Sequence, residues 1–146
     1  LERELRRAER FSKPLSIMLV DVDHFKPYND RMGHLMGDEA LKQIAKCLQT
    51  SVRKIDGVSR FGGEEFCLVL PETSPEAAKE VAKKLNEAIK KLDIKGAKEQ
   101  PLGYLSVSIG ISWFPKTEAK DLFDQADRAL YAAKNQGRDR TVLYGG

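Results

Sequence analysis

Cysteine is scarce, with two in 146 residues. Cys47 falls in a helical apolar pattern and Cys67 in a strand-like one, so both read as small core residues and not as a disulfide framework or a metal pair. A reducing, cytoplasmic setting is expected. No apolar run approaches the roughly 20 residues that cross a bilayer. The opening Leu1-Glu2-Arg3-Glu4-Leu5-Arg6-Arg7 is no signal peptide. This segment is therefore expected to make no membrane contact. Charge of one sign is also lacking: 25 basic residues against 22 acidic ones leave +3. That excess suits phosphate-bearing ligands but does not mark a partner of nucleic acid polymers. Repeats and low-complexity stretches are absent. So is an initial Met, and Leu1, Leu5 and Ala8 share a helical face. Residues 1–13 thus read as the remnant of a linker helix, with an upstream regulatory region expected that is free to carry a membrane anchor.

What is present suffices for one domain over residues 1–146, with 41% hydrophobic and 32% charged residues. Ser16 to Val22 is a continuous apolar run of strand length, expected to be central and covered on both faces. Leu41, Ile44, Ala45 and Leu48 follow helical spacing after a short helix and a bend marked by Gly33 and Gly37. Val58 to Phe61 and Phe66 to Leu70 flank Gly62-Gly63 as a hairpin that Pro71 ends. Thr73 and Glu76 suggest a capping box for a helix carrying Ala78, Val81, Ala82, Leu85, Ile89 and Leu92. Tyr104 to Phe114 alternates as a half-buried strand. Leu122, Phe123, Ala126, Ala129, Leu130 and Ala133 form a last helical stripe, and Thr141 to Tyr144 a short strand. The order β-α-α-β-β-α-β-α-β predicts an α+β fold of ferredoxin-like or nucleotidyl-cyclase palm type. Its mostly antiparallel five-stranded sheet is expected to carry helices on one face.

The chemistry concentrates in Arg60-Phe61-Gly62-Gly63-Glu64-Glu65-Phe66. Paired glycines suit a two-residue hairpin turn and let a ligand approach the backbone. Asp21 and Asp23 close the first strand. The predicted fold sets that strand end beside the hairpin turn, so the two segments can deliver carboxylates to one metal and phosphate site. The combination points to nucleotide chemistry.

These residues resemble the GGDEF family of diguanylate cyclases in its GGEEF variant. Asp21-Val22-Asp23-His24-Phe25-Lys26, Asn29-Asp30, Gly33-His34 and Gly37-Asp38 stand in the family's order and spacing. Ala126-Asp127, Ala129-Leu130-Tyr131, Ala133-Lys134 and Gly137-Arg138 resemble its closing helix. The family's usual opening Asp-x-Leu-Thr-Gly-Leu-x-Asn-Arg stretch is absent. The resemblance implies condensation of two GTP into cyclic di-GMP and pyrophosphate across a symmetric homodimer, switched by an upstream sensor or receiver domain. It implies Mg²⁺, with Mn²⁺ as a substitute, on Asp21, the Val22 carbonyl and Glu64. Glu64 is the favoured general base, with Glu65 and the metal as alternatives. Phe25, Gly62 and Gly63 line the GTP site. Asn29 and Asp38 read guanine, whose N1 and N2 donors suit a carboxylate. His34 lies close to the nucleotide. Lys26, Lys134 and Arg138 meet the phosphates, with Lys26 stabilising the transition state. Arg53-Lys54-Ile55-Asp56, five residues before Gly62, resembles the family's RxxD site, where product binds and inhibits.

Taken singly, these residues have ordinary readings. Asp21 and Asp23 suit a solvated strand end, and Lys134 and Arg138 suit a helix C-terminus. Arg53 and Asp56 suit a surface ion pair worth roughly 0–1 kcal/mol. Two rival functions follow: a catalytically silent GGDEF module that acts as a GTP or cyclic di-GMP receptor, and an RNA-binding ferredoxin-like domain. The second needs exposed strand aromatics and a basic face, and the sequence shows neither clearly.

Overall fold

The computed structural model describes residues 2–145, so Leu1 lies outside the described residues. The chain begins with α1 (Glu2–Phe11), β1 (Leu15–Val22), α2 (Phe25–Met32) and α3 (His34–Ser51). It continues through β2 (Gly57–Phe61), β3 (Glu65–Pro71) and α4 (Pro75–Lys90) to β4 (Val107–Phe114), α5 (Leu122–Asn135) and β5 (Thr141–Leu143). The five strands form one sheet in the order β2-β3-β1-β4-β5. β1 is antiparallel to β3 and β4, β2 is antiparallel to β3, and β5 is parallel to β4.

All eight residues of β1 are buried, as its uninterrupted apolar run predicts for a strand covered on both faces. Met18, Val20 and Val22 pack with Ile44 and Leu48 of α3 and Leu85 and Ile89 of α4. Leu15, Ile17 and Leu19 face the other way, onto Ala8 of α1 and Leu122, Ala126 and Leu130 of α5. Helices therefore cover both faces of the sheet, not the single face expected from the element order. The alternation of β1 supplies two apolar surfaces, and each fully buried aliphatic contributes roughly 1.5–3 kcal/mol only if something covers it.

Local expectations are corrected at three places. Ser74, not Thr73, caps α4, its hydroxyl accepting from Ala77 N–H at 3.2 Å with Pro75 in the first turn. Thr73 instead donates to the Pro71 carbonyl at 2.9 Å. β4 begins at Val107, three residues later than the alternation suggests. Phe123 is 42% exposed and lies edge-on to Phe61, off the buried stripe of α5.

Two glycines shape the chain around the site. A Cβ at Gly110 of β4 would lie 2.2 Å from Leu130 N and 2.3 Å from Ala126 O, so the backbone of α5 rests directly on the sheet there. Gly33, at φ +88°, breaks the chain between α2 and α3.

Candidate functional site

β1 and β3 pair with Asp21 opposite Glu65, and Val22 N–H donates to the Glu64 carbonyl at 3.2 Å. The strand end and the hairpin turn, far apart in sequence, are thus neighbours. Phe61 pairs with Glu65 across the hairpin, which leaves Gly62, Gly63 and Glu64 as a three-residue turn where two were expected. Of the two glycines only Gly62, at φ +66°, needs the left-handed region. The extra residue puts Glu64 in the turn itself.

A cleft of about 290 Å³ opens here, lined by Asp21, Val22, Lys26, Glu64, Lys134 and Arg138 among others. Lys134 reaches in from the last turn of α5, an approach set by the close contact at Gly110, and its ammonium donates to the Asp21 carboxylate. Burial pushes the Asp21 carboxyl up from its ordinary range, against the pull of Lys134. Glu65, across the strands, is raised by burial and then by the Asp21 charge.

A second cleft of about 350 Å³ shares Phe25, Lys26 and Glu64 with the first and adds Asn29, His34, Asp38, Leu41, Arg60 and Gly63. Asn29 Nδ2 donates to His34 Nδ1 at 3.0 Å. A Cβ at Gly37 would lie 2.0 Å from Asn29 Oδ1, so the absence of a side chain there is what seats Asn29. The sequence reading names Arg60 beside the double glycine and Leu41 in a helical stripe but assigns neither to the site. Arg60 Nε donates to the Gly63 carbonyl at 3.1 Å and so braces the turn. Its position two residues before the double glycine was the available signal. Gly62 lines neither cleft.

Asp23, paired with Asp21 as a metal-site carboxylate in the sequence reading, borders the same cleft, but its carboxylate oxygens are already taken. It accepts from Ser106 Oγ at 2.7 Å, Ser108 Oγ at 2.6 Å and Asp139 N–H at 2.9 Å. Among the described residues no three His, Cys, Asp or Glu side chains gather as an all-protein metal cage. A buried carboxylate, a second acid in the adjoining turn and a cleft beside them nevertheless fit Mg²⁺. That ion is commonly held by one or two carboxylates plus substrate phosphates and waters.

Arg53 and Asp56 lie at the opposite end of the β2–β3 hairpin, roughly 20 Å away along the seven residues of β3. The Asp56 side chain is only 3% exposed beneath an Arg53 side chain that is 51% exposed, so the ion pair lies at the surface with its acid covered. Arg53 donates to both Asp56 oxygens, at 3.2 and 2.8 Å, to the Pro71 carbonyl at 2.7 Å and to Thr73 Oγ1 at 2.7 Å. They border a cavity of about 490 Å³ with Thr73 and Lys84. Cys67 is buried and Cys47 half-buried, both as free thiols, and burial raises the pKa of each. No helix among the described residues is long and apolar enough to cross a membrane.

Known proteins resemble this chain in sequence and fold. The chain is 44% identical over 141 residues to diguanylate cyclase DgcP of Pseudomonas aeruginosa, covering 96% of this chain and 21% of that protein. It is 38% identical over 144 residues to diguanylate cyclase DosC of Escherichia coli, covering 98% and 31%. It therefore spans about a fifth to a third of the length of these curated relatives. Among solved structures, the active GGEEF domain of a diguanylate cyclase from Vibrio cholerae matches with a TM-score of 0.87 and 32% identity, over 97% of this chain and 90% of that one. The GGDEF domain of DgcB from Caulobacter crescentus, in complex with c-di-GMP, matches with a TM-score of 0.89 and 26% identity, over 100% and 86%. The family model described as "Diguanylate cyclase, GGDEF domain" matches residues 1–140, and the chain belongs to that family.

Proposed function

We propose that the domain is a diguanylate cyclase, condensing two GTP into cyclic di-GMP and two pyrophosphates across two facing copies. The observation that carries this reading is the pair of joined clefts, one acidic at Asp21 and Glu64 and the other polar at Asn29 and Asp38, with Phe25, Lys26 and Glu64 common to both. Such a pair suits a nucleotide with its triphosphate in the first cleft and its base in the second. Asn29 and Asp38 accept from guanine N1 and N2, a donor pair that adenine lacks.

Asp21, the Val22 carbonyl and Glu64 would hold Mg²⁺, which when bound supplies charge neutralisation on the triphosphate. Glu64 takes the proton from the 3′-hydroxyl of the opposite GTP. As that oxygen bonds to the α-phosphorus, the bond to the β-phosphate bridge breaks and pyrophosphate leaves. Lys26, Lys134 and Arg138 stabilise the charge spread over the phosphoryl oxygens. The same step on the other copy closes the ring. Lys134 exchanges its bond to Asp21 for one to phosphate when substrate arrives. At the far end of the hairpin, Arg53 and Asp56 bind the product through its phosphates and guanine edges and restrain turnover.

The test is turnover of GTP with Mg²⁺ by a dimerised form, with cyclic di-GMP quantified against Glu64→Gln. Product from the unmodified protein and at least a hundredfold less from the variant is expected. Nucleotide binding without product would favour a silent receptor module.

A further inference from the structure

Asp23 is as deeply buried as Asp21, 4% exposed against 5%, and stands on the same strand end, yet it faces a different set of groups. Its Oδ1 accepts from Ser108 Oγ, and its Oδ2 accepts from Ser106 Oγ and from the backbone N–H of Asp139. The last bond reaches the segment that follows α5, where Arg138 and Asp139 both adopt left-handed backbone, at φ +64° and +48°. Two consecutive side-chain-bearing residues hold that conformation only where their surroundings fix it.

Three further contacts fix it here. Arg138 N–H donates to the Ala133 carbonyl at 3.0 Å. The Asp139 carboxylate accepts from Asn86 Nδ2 at 2.8 Å and from Lys90 Nζ at 2.8 Å. Asn86 is itself anchored, its Oδ1 accepting from Val107 N–H at 3.1 Å. Asp23, just beyond β1, and helix α4 thus both hold Asp139, β4 braces them through Ser108 and Val107, and the residue before Asp139, Arg138, lines the Asp21 cleft.

The structure assigns Asp23 as a positioning residue. By fixing the Asp139 N–H it sets the left-handed pair and presents Arg138 to the phosphates of the nucleotide. The assignment rests on the reading of that cleft as a triphosphate site. It separates two neighbouring acids by role: Asp21 faces the ligand, and Asp23 acts through Arg138.

The role depends on hydrogen bonding, not on charge. Asparagine can replace the carboxylate, its carbonyl oxygen accepting from Ser106 and Asp139 N–H while its amide donates to a rotated Ser108 hydroxyl. Alanine cannot. The experiment is calorimetric binding of an α,β-methylene GTP analogue in Mg²⁺, with guanosine as the phosphate-free control. The variants are Asp21→Asn, Asp23→Asn, Asp23→Ala, Arg138→Ala and the Asp23→Ala/Arg138→Ala double variant.

Asp23→Asn is expected to bind the analogue within about threefold of the unmodified protein. Asp23→Ala is expected to bind it about tenfold more weakly, with guanosine affinity unchanged. In the Arg138→Ala background, Asp23→Ala is expected to cost less than about twofold. Should Asp23→Ala fail to fold, Ser106→Ala/Ser108→Ala removes two of the three bonds and is expected to lose about threefold, again only while Arg138 is present. A loss in Asp23→Asn as large as that in Asp21→Asn overturns the assignment, and so does a full penalty that persists without Arg138. Absence of analogue binding by the unmodified protein would instead overturn the triphosphate reading itself.

Discussion

The two ends of the β2–β3 hairpin hold charge in opposite ways. At the turn, Asp21 and Glu65 are opposite one another with both carboxyls pushed upward by burial, and Lys134 only partly offsets the cost at Asp21. At the other end, Arg53 is held by Asp56, Pro71 and Thr73, and the Asp56 hydrogen bond raises the guanidinium further. The first end holds negative charge that an incoming cation would relieve. The second is satisfied within the chain, so a ligand there must compete with bonds already made. Burial that Lys134 only partly offsets suits a site that a cation completes, whereas charge already paired suits one that a ligand has to open.

The sharpest way to break this contrast is Asp21→Asn. Turnover is expected to fall by at least a hundredfold, measured as cyclic di-GMP formed. The ligand-free protein is expected to become more stable at neutral pH, by a few degrees in thermal unfolding. The sign follows from linkage. A carboxyl raised above its ordinary value of 3.8 contributes stability that is present below that pH and lost as pH rises through the higher folded value. The advantage of asparagine should therefore be largest near pH 7 and shrink toward pH 4 in melting curves.

Next in size is Gly110→Ala. Its new methyl meets backbone atoms of α5 and not a flexible side-chain end. We expect about 2–3 kcal/mol of destabilisation by denaturant titration, together with loss of the Lys134 approach to Asp21. Gly37→Ala displaces Asn29 from the base cleft and presses on the Phe25 ring, 3.3 Å from the new Cβ. KM for GTP should rise about tenfold with a smaller change in kcat, read from initial rates over a GTP series. Smallest is Arg53→Ala, expected to weaken product inhibition severalfold and to cost about 1 kcal/mol in stability. Rates measured with added cyclic di-GMP and a melting curve check both parts. Unchanged inhibition would remove Arg53 from the product site.

Much of this was legible in local sequence. The continuous run of β1, the stripe of α4 and the double glycine fix three elements by periodicity and turn chemistry alone. The nearness of Asp21 to Glu64 follows from the element order. What was hidden depends on contacts between distant segments. The partners of Asp23 are 83 and 85 residues away in Ser106 and Ser108, so nothing beside Asp23 in the chain distinguishes it from Asp21. Thr73 reads as a helix cap until Arg53, 20 residues earlier, is seen to occupy its hydroxyl. The three-residue turn depends on the pairing of Phe61 with Glu65, a register that Gly62-Gly63 does not specify.

Asp21 at the end of β1 and Glu64 in the β2–β3 turn are proposed to share one divalent cation under a triphosphate. Anomalous scattering from Mn²⁺ in crystals grown with the α,β-methylene GTP analogue tests it most directly. A single strong peak coordinated by both carboxylates and by phosphate oxygens is expected. A peak bound by phosphates alone, or by only one of the two acids, would contradict it.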